Sequence, residues 1–280
     1  MRKIGLHITD CGLDTASGRG GDTRTRIESL YHHLGVTPLL NRETSAIGVA
    51  FTAATTAESV LRLTGQPHQV IAFNRAPRTQ YAGKEQAGGG RLLHLGGRDG
   101  TEYIGYGEEV LNWLHYFQGE VESTVSVDRW PQQQIEDTTS GTQFRSLEHL
   151  VPIHADLLAD PTAVVGEHST CFRPDTVEIT DNEAVVLPSD EFGNGRLLLR
   201  QRTFSDALAA TTVSVEGFTD HVTVAASLTE AEGLSLWPSS NRLPNSELIV
   251  ANLGRKWETD HEGNDVQVSQ LGPEQRIKLA

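Results

Sequence analysis

Two short stretches of this chain gather side chains that can do chemistry. "HITDCG" closes an apolar run with Asp10, and "SDEFGN" sets Asp190, Phe192 and Asn194 close together. A carboxylate at the end of a strand can accept two hydrogen bonds from a vicinal diol such as that of ribose. A turn bearing a carboxylate, a ring and a carboxamide can hold an amine, cover a flat base and pair with the edge of a heterocycle.

The glycine-rich loop after Asp10 has the local plan of a phosphate cradle but not its residues. A Walker loop needs GxxxxGK[ST], and "SGRGGDTR" has no lysine; a dinucleotide fingerprint needs GxGxxG, and Thr23 stands where the third glycine should follow Gly18 and Gly20. Asp10, Asp14 and Asp22 would moreover repel a phosphate. The eleven histidines give no metal signature, since His32 and His33 are adjacent, His149 and His154 are five apart, and no HExxH or HxH occurs. No metal is therefore expected, and the histidines are read as solvated or core residues. There is no GxSxG elbow and no cysteine-nucleophile signature.

Composition narrows the class further. Against 23 Lys plus Arg stand 37 Asp plus Glu, a formal net charge of -14. Nucleic acid is thus an unsuitable main partner, because neutralising phosphates needs a basic face. The lysines are Lys3, Lys84, Lys256 and Lys278 alone, and an acidic, lysine-poor surface suits a halophilic setting. The two cysteines, Cys11 and Cys171, are far apart without metal-ligand spacing, which fits a reducing cytoplasm. No apolar run is long enough for a membrane span or a signal peptide, so a soluble cytoplasmic protein is expected.

The elements that must position these residues fall into two kinds. "KIGLHIT", "QVIAF" and "RLLHL" read as strands. Ile27, Leu30, Tyr31 and Leu34 lie at helical spacing behind a possible Asp22 cap, Ala46 to Leu63 reads as a helix closed by Gly65, and "GEEVLNWLHYF" and "SLEHLVPIHADLLAD" as further helices. This alternation predicts an α/β domain with a mostly parallel sheet over residues 1–172, with "YAGKEQAGGGR" as its loosest insertion and "STCFRPD" as a linker. From Thr176 onward short β-branched runs with little helical periodicity between them predict an antiparallel β-barrel over 173–280.

In order and spacing these pieces resemble the S-adenosyl-L-methionine hydroxide adenosyltransferases, the family that also contains the fluorinating and chlorinating enzymes. "ITDCG" is similar to the family's (L/M)(T/S)D(F/L)G opening, and "SDEFGN" to its DxFGN turn. "TQFRSLEHLVPIHADLLAD" is similar to its "TFHGRDIFAPVAAHLA" segment, with Phe144 and Pro152 in register. Weaker echoes are "VIAFNRAPR" for a strand ending in VDPGVG, "GGRDG" for PDNG, and "ELIVANLGR" for the final strand before the methionine-binding loop.

The resemblance implies an α/β domain followed by a β-barrel, assembled as a homotrimer with active sites between subunits. It implies attack of a small nucleophile on the 5′ carbon of S-adenosylmethionine with release of methionine, the sulfonium being a ready leaving group, and no cofactor beyond that substrate. Carried over, Asp10 would bind the ribose diol, Asp190 the methionine amine, and Phe192 and Asn194 the adenine side. Ser146 falls where the halogenating members hold halide with a serine. The water-using members ready their nucleophile with Asp, Arg and His. Here Asn74 takes the aspartate position and Arg145 the histidine position, while Arg75 and Arg78 lie near the arginine position but out of register. Two readings stay open: Arg145 and Ser146 hold an anionic nucleophile, or the scaffold binds an adenosyl ligand as a sensor without turnover.

Overall fold

The computed structural model describes residues 3–9, 20–67, 70–75, 92–98, 100–118, 124–127, 150–160, 170–172, 177–190, 194–218, 221–255 and 271–280. The chain divides into two compact units, Met1–Asp175 and Thr176–Ala280.

The first unit is built on β1 (Lys3–Thr9), an apolar run buried from Gly5 onward. α1 (Gly20–His33) leads to β2 (Val36–Arg42), which pairs parallel with β1. α2 (Ala46–Thr64) follows, its first turn held by Ser45 Oγ accepting from Gly48 N at 3.1 Å and its last closed by Gly65 at φ 70°. It returns the chain to β3 (Val70–Asn74), on the other side of β1 and again parallel. β4 (Leu92–Gly96), β5 (Glu102–Tyr106), α3 (Glu108–Gln118), β6 (Thr124–Val127), α4 (Val151–Ala159) and β7 (Thr170–Phe172) complete the unit.

The strand order is β2-β1-β3-β5-β4-β6-β7. The expectation of a mostly parallel sheet holds for only half of it: β2, β1, β3 and β5 run parallel, while β4, β6 and β7 join by antiparallel pairings. β4 and β5 are joined by a short connection, too short for the helical crossover that parallel neighbours need. Thr170–Phe172, read above as linker, is an edge strand of this sheet. Asp22 does not precede α1 but lies inside it as the third residue.

Helices cover both faces, because parallel strands must be buried on each side. α1 and α4 pack together over the face that carries Gly5, His7 and Thr9, with Ile27 and Tyr31 fully buried there beside Ile153, Leu157 and Leu158. α2 packs against α3 on the other side, where opposed right-handed crossovers put it.

The second unit is a single sheet in the order β10-β11-β12-β13-β9-β8-β14, comprising β8 (Glu183–Leu187), β9 (Gly195–Arg200), β10 (Thr212–Val213), β11 (Val222–Val224), β12 (Leu234–Pro238), β13 (Leu248–Arg255) and β14 (Arg276–Lys278). It curls until its two edges meet at a bridge between Val215 and Leu279, with Ser214 N donating to Ala280 O at 2.7 Å and Ala280 N returning a bond to Ser214 O at 3.0 Å. Leu197, Leu199, Leu236, Ala251 and Leu253 fill the inside of the curl. Two features depart from an antiparallel barrel: β11 and β12 run parallel, and α5 (Gln201–Ala210) stands between β9 and β10. That helix is short, and its apolar stripe of Phe204, Ala207 and Leu208 is too brief to stand out against the β-branched runs around it.

Candidate functional site

In an open α/β sheet, ligands bind outside the carboxyl ends of the strands where the chain order reverses. Here the reversal lies between β1 and β3, since β1 is followed by a neighbour on one side and, after α2, by a neighbour on the other. The last residues of these strands, Thr9 and Asn74, are register partners and face the same way. The same row continues to Arg42 on β2 and Tyr106 on β5. Thr9 and Asn74 are buried, as is Tyr106, so the row forms the floor of this strand-end region. Asp10 follows Thr9 directly in the chain and lies outside the described residues.

Two glycines keep this edge open. A Cβ at Gly105 would stand 1.9 Å from the Phe73 carbonyl oxygen, so β3 and β5 approach there only with glycine. Gly107 takes φ 128°, and a Cβ on it would meet Arg75 O at 2.6 Å. The Arg75 amide donates to Tyr106 O at 2.9 Å, and its side chain donates from Nε to Thr44 O and pairs with Glu109 on α3. Arg75 is therefore already engaged with a carboxylate. Arg78 lies outside the described residues, as do Phe144, Arg145 and Ser146.

Beneath the row runs a buried polar chain. His7 Nδ1 lies 2.9 Å from Tyr31 Oη, Tyr31 Oη 2.7 Å from His154 Nδ1, and His154 Nε2 3.2 Å from Val70 O. The rings meet edge to face, and Gly5 leaves the room: a Cβ on it would come within 3.0 Å of His154 Cε1. Burial, and then the neighbouring His154, lowers the His7 pKa to about 3, so the imidazole is neutral at ordinary pH. Burial raises the Tyr31 hydroxyl well above the usual phenol range. His154, read from sequence as a solvated or core histidine, is a core residue, whereas His32 and His33 are exposed at the end of α1. Among the described residues no group of three or more metal-ligating side chains forms.

The second unit holds the other predicted locus. Asp190 Oδ1 accepts from Asn194 N and Oδ2 from Asn194 Nδ2, both at 2.9 Å, while Asp190 N donates to Asn194 O at 3.1 Å. One turn thus brings these two predicted residues together; Phe192 between them lies outside the described residues. Asn194 packs on Gly254 of β13, where a Cβ would stand 2.4 Å from Asn194 Oδ1 and 3.5 Å from Trp237 Cη2. The nearly buried indole of Trp237 shares a cross-strand row with Asn252 and Arg196.

Reasoning from sequence missed His7, Tyr31 as a polar link, Thr9, Tyr106, Gly254 and Trp237. One signal was present for His7, an ionisable side chain in the middle of the apolar run "KIGLHIT".

No protein-family model and no curated protein matches the sequence. Among solved structures the chain is similar to one described as an uncharacterized conserved protein from Thermotoga maritima, with a TM-score of 0.66 and 14% identity over 99% of this chain and 100% of that one. The likeness is one of fold. No described helix is long and apolar enough to cross a membrane.

Proposed function

We propose that the chain is an S-adenosyl-L-methionine-cleaving adenosyltransferase, in which a small nucleophile attacks the 5′ carbon and methionine leaves. The observation that carries this reading is the Thr9–Asn74 pair at the topological switch point, where an open α/β sheet binds its ligand; Asp10 is the next residue of the chain after Thr9. A carboxylate there selects hydroxyl donors over phosphate, and a ribose diol is the fitting partner. The Asp190–Asn194 turn supplies the complementary set: a carboxylate for the amine of the methionine moiety and a carboxamide, with Phe192, for the adenine edge. Asp10, Asp190, Phe192 and Asn194 bind substrate, while Arg145, Ser146, Asn74 and Arg78 surround the nucleophile. No cofactor beyond the substrate takes part, and the working assembly is a homotrimer with sites between subunits.

The reaction asks little acid-base help of the protein. The sulfonium departs as a neutral thioether, so alignment of nucleophile, C5′ and sulfur and removal of water from the nucleophile supply most of the acceleration. The engagement of Arg75 by Glu109 favours, as a second reading, an adenosyl-binding sensor that lacks turnover. Incubating the protein with S-adenosylmethionine in chloride, in phosphate and in halide-free buffer, with products read by mass spectrometry, separates the two. Methionine release in any buffer supports the enzyme, and tight binding without release supports the sensor.

A further inference from the structure

We draw no further inference here: the strongest candidate, the side-chain row of Arg196, Asn252 and Trp237 across β9, β13 and β12, belongs with the Asp190–Asn194 turn to the site already described, and nothing among the described residues shows a path by which a ligand reaches it.

Discussion

The two units carry their polar groups in opposite ways. In the first, His7, Tyr31 and His154 come from β1, α1 and α4 and meet only because the sheet and its helices close over them. In the second, Asp190 and Asn194 satisfy each other within one turn, whatever the rest of the sheet does. The first arrangement is as rigid as the core that holds it and fails with that core; the second is local and can be changed piecemeal.

The sharpest way to break the comparison uses one glycine from each unit. Gly105→Ala sets a methyl 1.9 Å from a backbone carbonyl that cannot turn aside, so β3 and β5 must part; a loss of about 3 kcal/mol or more is expected in denaturant unfolding. Gly254→Ala meets chiefly the end of the Asn194 side chain, which can rotate away. It is expected to cost about 1 kcal/mol while weakening adenosine binding, because the carboxamide is displaced. Equal losses from both substitutions would show that the units do not differ in this respect.

Acid separates the units next. His7 titrates near 6.5 when unfolded and at about 3 when folded, so between those values the unfolded chain binds the extra proton. The stability linked to a neutral His7 is therefore complete above about pH 6.5 and falls as the pH drops towards 3. Melting followed from pH 7 to pH 4 is expected to show the first unit weakening, and His7→Leu to flatten that dependence. An unchanged slope in the variant would place the acid sensitivity elsewhere.

The same contrast explains what was legible in the sequence. The strands and helices of the first unit stand out because their periodicity is strong, as with Ile27 and Tyr31 on α1 or the Gly65 end of α2. The Asp190–Asn194 turn stands out because everything it needs lies within a few residues. The buried chain of His7, Tyr31 and His154 was illegible, since Tyr31 and His154 are 123 residues apart and a tyrosine at a core position reads as an apolar one. The antiparallel half of the first sheet was hidden likewise, for β4 and β5 carry the same apolar pattern in either direction.

The smallest effect is expected at the local turn itself. Asp190→Ala removes the acceptors of the Asn194 amide and carboxamide, but both donors lie in a half-exposed turn where water can replace the lost oxygens. Stability should therefore fall by no more than about 1–2 kcal/mol. Substrate should feel the change more than the fold does: if Asp190 holds the methionine amine as proposed, affinity for S-adenosylmethionine is expected to drop further than affinity for adenosine, which lacks that amine. Calorimetric titration of both ligands reads the difference directly. Equal losses would assign Asp190 to shaping the turn alone, and would leave the amine to be held by another group.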